Sequence, residues 1–495
     1  MEFQTLEAIP GALFAALSPE CLGWICLGTV VGVLFGAAPG LTATTAVALF
    51  TPITFYMSLN VSLSFLMGIY CGGFYAGSIP AILINTPGAP GNAATVMDGY
   101  PMAKQGRAGE ALGHSIISSW LGGSLSAFAL LIFAPLIAAI ALKFGAPEYF
   151  AVAVLGLVCI AGVSGRSMIK GVAGAAIGMF LGTVGMDPID GLPRFTMDNL
   201  NLMGGIALIP ALVGLFAITE VLAKVETVGR SGKDEIIVQV KKMLPPLKYY
   251  WQYKGVIIKS TIIGVIIGAI PGTGPTIASW MSYNEAKRSS KHPQDFGTGI
   301  PEGIMASESS NNAVTGGALI PLLTLGVPGD TVTAVLLGAL MIQGLTPGPM
   351  LLVERYDLVA FLLWILLIAN VVMLAMGLLG SKYFPYILKI PFQILMPIVS
   401  VLCVTGGYAV NNSFFDAGMV VVIGFAGYIL LKLGFPVAPI VLGLILGPII
   451  EPNMRRALLG HGLNPLVFFS TPISAGLLIS SFVLVYIMNK RGRMN

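Results

Sequence analysis

Long apolar runs separated by short polar punctuation organise this chain from end to end. Segments 116–142, 361–380 and 466–488 are apolar stretches of the length a helix needs, about 20 residues, to cross a hydrocarbon core of roughly 30 Å. A transmembrane β-barrel would show stretches of about 10 residues with alternating polarity, and the chain has none. The pattern predicts an all-α polytopic membrane protein with about 10–12 transmembrane helices plus re-entrant or broken helices.

The polar punctuation divides the chain. Residues 1–18 interleave apolar residues with Glu and Gln and read as an interfacial N-terminal helix broken at Pro10. Glu2 and Glu7 precede any basic residue, the wrong charge for a cleaved secretory leader. Residues 19–222 form a first transmembrane repeat and 256–488 a second. Between them a polar loop, 223–255, carries Lys224, Arg230, Lys233, Lys241, Lys242 and Lys248; the tail, 489–495, carries Lys490, Arg491 and Arg493. The positive-inside rule places loop and tail in the cytoplasm of a cell whose inner membrane holds the protein.

Two matches carry the repeat. Gly32 to Gly40 corresponds to Gly264 to Gly272, with Gly at every fourth position and Pro-Gly closing both. Ser78-Ile-Pro80 through Pro87-Gly88 corresponds to Leu319-Ile-Pro321 through Pro328-Gly329. The offsets are 232 and 241 residues, and a longer polar connection at 284–303 absorbs the difference. Duplicated halves with interrupted apolar segments at matching positions point to a secondary transporter whose site forms between the repeats, which are expected to be inverted.

Each Pro-Gly ends one helix and lets another begin. After Pro39 come Gly40, Leu41, Thr42, Thr44 and Thr45; after Pro271-Gly272 come Thr273, Gly274 and Thr276. These are N-cap residue types at the start of an apolar helix, and such a helix start offers free N–H groups to a carboxylate. No Lys or Arg lies within these motifs, so they predict an anion cradle without fixed charge. The other breaks supply Asn85, Thr86 and Gly88, then Asn311, Asn312, Pro328 and Gly329, groups suited to carboxylates or to sodium. Candidate sodium ligands are Pro39, Asn85, Pro271 and Asn312. Glu308 is a candidate coupling carboxylate, whereas Asp98, Asp187, Asp190 and Arg194 read as residues of surface turns.

Composition agrees with lipid as the solvent: 56% hydrophobic, 10% charged, mean hydropathy +0.88, against about 25% charged in soluble domains. Net charge +4 comes without a nucleic-acid-binding motif. Five cysteines without CxxC spacing read as small hydrophobes. Three histidines, none in HExxH, and no GxxxxGK[ST] loop argue against a zinc enzyme, a histidine triad or a built-in ATPase. No cofactor is expected beyond a coupling ion, Na+ or H+.

The motifs resemble those of the large membrane subunit of tripartite tricarboxylate transporters, the TctA type. The resemblance rests on Gly36-Ala-Ala-Pro-Gly-Leu41, Ala81-Ile-Leu-Ile-Asn-Thr-Pro-Gly-Ala-Pro90, Asp98-Gly-Tyr-Pro-Met-Ala103, Gly182 to Pro188, Glu308 to Ala313, Leu325-Gly-Val-Pro-Gly329 and Thr346-Pro-Gly-Pro349. It covers nearly the full length, with Ser310 where alanine is usual. It implies a small TctB-type membrane subunit, a periplasmic TctC-type solute-binding protein, and sodium- or proton-coupled import of citrate, another tricarboxylate, a dicarboxylate or an aromatic acid. Rival readings are a stand-alone anion carrier or channel, an intramembrane enzyme, and a structural anchor.

Overall fold

The computed structural model describes residues 2–38, 40–163, 167–226, 245, 248–390 and 392–492. The first half runs through α1 (Glu2–Ala16), α2 (Pro19–Ala37), α3 (Ala43–Thr54), α4 (Leu59–Ala76), α5 (Ser78–Leu83), α6 (Ala93–Met102), α7 (Ala108–Ala141), α8 (Ala146–Val163) and α9 (Met168–Gly182). A two-stranded antiparallel hairpin, β1 (Gly185–Met186) with β2 (Pro193–Arg194), precedes α10 (Leu200–Met203), α11 (Leu208–Leu212) and α12 (Thr219–Val225). A π turn over Val213–Ile218 joins α11 to α12.

The second half follows with α13 (Lys248–Gln252), α14 (Lys254–Ala269), α15 (Gly274–Ser289), α16 (Pro301–Leu325), α17 (Thr331–Ile342), α18 (Pro349–Glu354) and α19 (Tyr356–Gly380). It closes with α20 (Phe384–Ile387), α21 (Phe392–Asn411), α22 (Phe414–Lys432), α23 (Val437–Gly460) and α24 (Pro472–Gly492). Helices dominate because lipid leaves backbone N–H and C=O groups no partner but each other. Among the described residues eight helical segments are long and apolar enough to span a bilayer, and five shorter apolar helices accompany them.

The duplication is built into the packing. Gly32 and Gly36 of α2 lie on the carbonyls of Ile69 and Gly73 in α4; Gly264 and Gly268 of α14 lie on those of Ser310 and Val314 in α16. Both pairs run parallel in one register, since small residues every fourth position let helix backbones touch. The breaks after them repeat as well: the Thr86 amide donates to the Pro80 carbonyl and the Val327 amide to that of Pro321, each at 3.3 Å.

The halves are inverted. Helices α4 and α19 run the same way, with Cys71 at Asn370 and Tyr75 at Gly377. Helices α7 and α16 also run together, with Ser119 at Asn312 and Ser126 at Gly316. Yet α7 and α19 cross in opposite directions, Ile116 at Gly377 and Gly123 at Asn370. Helix α4 is therefore antiparallel to its counterpart α16. Each half also reaches into the other, as a pseudo-twofold requires: Tyr70 of α4 donates to Asp330 at 2.7 Å, and Asn311, its counterpart on α16, packs on Gly91.

Three local features change or sharpen. Helix α1 continues through Pro10 and docks on α19, where the Trp364 indole donates to the Ile9 carbonyl at 2.9 Å. The apolar run that composition leaves open between one long tilted helix and a hairpin is one helix of 34 residues, 108–141. The polar loop starts later than composition implies, because α12 carries the chain to Val225; most of that segment, residues 227–244 and 246–247, lies outside the described residues.

Asp98 and the Asp187 turn are structural, but Asp98 stands inside α6 and not in a surface turn. Asp98, fully buried, accepts the amides of Gly297, Gly299 and Ile300 at 2.9–3.0 Å and the Tyr283 hydroxyl at 2.8 Å, clasping the start of α16. Asp98→Ala strands all four donors, each costing about 1–3 kcal/mol. We predict loss of monodisperse protein on size exclusion for this variant and partial retention for Asp98→Asn; a normal profile for Asp98→Ala would contradict the clasp. At the hairpin, Arg455 grips Asp187 at 2.6 Å and Asp190 at 2.5 Å, while Arg194 pairs with Glu451 at 2.5 Å. The amides of Ile189 and Asp190, with the arginines, hold the Asp187 carboxyl down at about 2.

Candidate functional site

A cavity of about 770 Å³ lies where the helix starts of both halves converge. Its wall takes Thr42, Ala43 and Thr44 at the start of α3, Gly272 to Ile277 leading into α15, Ala89 to Asn92 from the first-half break, and Asp330 and Thr331 at the start of α17. Glycines make the turns possible: Gly40 and Gly272 sit at φ +93° and +76°, which other residues rarely adopt. The Thr44 and Thr331 hydroxyls meet at 2.8 Å and tie the halves together across it.

The α3 start is already occupied by a carboxylate. Thr42 caps the Thr45 amide at 3.2 Å, and the hydroxyls of Thr42, at 3.4 Å, and Thr45 both donate to Glu220 of α12. One turn on, the Lys224 side chain crosses the cavity wall against Gly40, where a β-carbon would collide with it. At the α15 start Thr273 turns its hydroxyl back to the Ile270 carbonyl at 2.9 Å and caps no amide. The first-turn amides of that helix therefore lack an intrahelical acceptor at the cavity wall.

Seven of the residues singled out from sequence line this cavity: Thr42, Thr44, Gly272, Thr273, Gly274, Thr276 and Asn311. Gly40 backs it through Lys224, and Leu41 is buried. Gly88, Pro328 and Gly329 are buried outside the wall, and Asn85 and Thr86 are exposed outside it. Asn312, one residue and about 100° round the helix from Asn311, is buried, donating to Ser119 at 2.7 Å and the Glu308 carbonyl at 3.2 Å. The candidate sodium ligands are not gathered at this cavity. Pro271 and Asn312 are buried outside its wall, Asn85 is exposed, and Pro39 lies outside the described residues.

The cradle is not free of fixed charge, which corrects the reading of its motifs. Glu220 and Lys224 come from a helix remote in sequence, 178 residues beyond Thr42 in the case of Glu220. Their signal was present: two charges four residues apart inside the apolar run 208–225, and charge within a spanning helix is functional by default.

A second cavity of about 980 Å³ lies at the other end of the 208–225 segment, lined by Leu208, Gly326, Pro347 and the arginine-bearing hairpin at Arg194. The first cavity begins at Leu215, seven residues or about 10 Å along the segment from Leu208 at 1.5 Å per residue.

Inverted halves and paired helix breaks around a cavity lined from both halves are the architecture of a multi-pass membrane transporter. The chain belongs to the tripartite tricarboxylate transporter TctA family, whose model matches residues 22–442. It is 38% identical over 472 residues, 95% of this chain and 94% of the relative, to an uncharacterized 52.8 kDa protein of the TAR-I ttuC' 3' region of Agrobacterium vitis. A second protein of that organism, from the TAR-II ttuC' 3' region, is 37% identical over 222 residues, 45% of this chain and 92% of its own length. No solved structure matches the chain.

Proposed function

We propose that this protein is the large subunit of a binding-protein-dependent importer that carries tricarboxylates such as citrate, or related organic acid anions, across the bacterial inner membrane. A periplasmic TctC-type protein delivers the anion, a small TctB-type subunit completes the complex, and a sodium or proton gradient drives uptake. The observation that carries this reading is the cavity where α3, α15 and Lys224 converge. The chain's own Glu220 carboxylate rests on one helix start there, so the cradle accepts carboxylates, and the matching start of α15 offers its amides to a substrate.

The Thr44–Thr331 and Tyr70–Asp330 contacts join the halves at the cavity, and movement of one half against the other breaks them as the cavity opens. The two cavities at opposite ends of the 208–225 segment supply an inner and an outer mouth.

The test is uptake of labelled citrate, succinate and benzoate into proteoliposomes holding this chain and its small subunit, with and without the binding protein outside. Saturable uptake that needs the binding protein supports the proposal. Uptake by the chain alone would make it a stand-alone carrier, and no uptake of any carboxylate would overturn the reading.

A further inference from the structure

We infer that the buried oxygens around Glu308 form a sodium site directly behind the wall of the carboxylate cavity, an inference that rests on the transport reading only for its coupling role. Glu308 sits two turns into α16 and is fully buried. Its carboxylate accepts Ser119 at 3.0 Å, Asn92 at 3.2 Å and Thr95. Among the described residues no Lys, Arg or His forms an ion pair with it. Neutral dipoles alone leave such a charge several kcal/mol short of its hydration in water.

The surrounding shell holds buried oxygens without partners. The Asn92 amide nitrogen donates to Glu308 and to the Phe74 carbonyl, and that of Asn312 to Ser119 and the Glu308 carbonyl. Their amide oxygens, each on a residue 1% exposed, have no partner, and neither does the Tyr75 hydroxyl. Exchanging oxygen and nitrogen offers no remedy. It would turn the Asn92 oxygen onto a carboxylate and a carbonyl, and the Asn312 oxygen onto a carbonyl. An unpaired carboxylate beside unpartnered amide oxygens lacks one thing, a cation.

The chemistry narrows the ion. One carboxylate and several neutral oxygens match a single positive charge, whereas divalent ions are usually met by more carboxylates. No group of three or more His, Cys, Asp or Glu able to hold a metal occurs among the described residues. A small, hard, singly charged ion is left.

The first half provides an internal control. The inverted repeat places Met67, Cys71 and Asn370 where the second half has Glu308, Asn312 and Ser119. Met67 is 1% exposed and Cys71 fully buried, with Asn370 donating to the Cys71 sulfur at 3.7 Å as Asn312 donates to Ser119. A thioether fills that niche in one half, so packing does not demand a carboxylate in the other. The site also touches the cavity: Asn92 lines it, and the Phe74 carbonyl receives both Asn92 and the cavity-lining Asn311, at 3.2 and 3.1 Å. An ion at Glu308 thus orders the wall that meets the substrate.

The experiment is thermal unfolding of the purified full-length chain in nanodiscs, titrating NaCl against KCl and choline chloride at constant ionic strength. We expect Tm to rise with sodium and not with potassium, and the rise to vanish in Glu308→Gln. Should that variant fail to fold, Ser119→Ala decides: a raised half-effect sodium concentration supports the site and an unchanged one overturns it. An equal sodium response in Glu308→Gln overturns it too, as does a wild-type Tm that follows pH but not sodium, the mark of a proton. Sodium binding by the isolated chain is read without substrate, so failure of carboxylate uptake leaves this result standing, and the reverse.

Discussion

Replacing Lys224 with glutamine lowers the efficiency of carboxylate uptake by about tenfold to a hundredfold, mainly through a higher KM. Lys224 brings positive charge to a cavity wall that also carries Glu220 and Asp330. Without it, an incoming anion meets a wall whose remaining fixed charge is negative. A hydrogen bond to a charged group contributes about 1.5–3 kcal/mol, which is about one to two powers of ten in affinity. Lys224→Arg keeps the charge and is expected to retain much of the uptake. Lys224→Glu removes it and reverses the field, so uptake should fall below detection. Initial rates of labelled citrate uptake against concentration, at matched protein in the membrane, read all three. An unchanged KM in Lys224→Gln would remove the lysine from the site.

Valine at Gly88 or at Gly329 is expected to prevent stable folding, and to do so equally. A β-carbon on Gly88 would strike the Gly36 carbonyl and come within 2.7 Å of the Gly77 α-carbon. On Gly329 it would strike the Gly268 carbonyl and come within 2.6 Å of the Ala318 α-carbon. The two contacts are the same contact seen in each half. Both neighbours are backbone, so neither moves aside as a side-chain tip would, and overpacking of this kind costs about 1–3 kcal/mol or more. Valine at Gly23, with open space around it, is the control and should leave expression intact. Fluorescence-detected size exclusion of the three variants is the measurement. Tolerance at one break and not the other would show that the halves do not share the packing that their common register implies.

The pattern of apolar runs was enough to give the helical class, because in lipid a chain with no water to bond must satisfy its backbone within each segment. The repeat was legible for a related reason: Gly at every fourth position and Pro-Gly at each break are requirements of close helix crossing and of helix ending, and they are written in residue type. The starts of α3 and α15, with Thr42, Thr44, Thr273 and Gly274, followed from that and do line the cavity. Asn85 and Asn312 illustrate the limit. Polarity marks them as candidates, but one faces outward and the other points away from the cavity into the Glu308 cluster, and which way a residue faces depends on what packs around its helix.

Sequence by itself determined that this chain spans a membrane as helices, that it is two related halves, and where each half is interrupted, since all three follow from local hydrophobicity, Gly spacing and proline chemistry. Tertiary structure decided the direction of the halves and the charge of the site. The inversion emerges only from which residues of α4, α7, α16 and α19 touch. Glu220 and Lys224 reach the start of α3 only because α12 is folded back against it across 178 residues. A motif can specify a helix start that favours an anion; whether a carboxylate and an ammonium stand beside it is fixed by long-range packing, which no local pattern encodes.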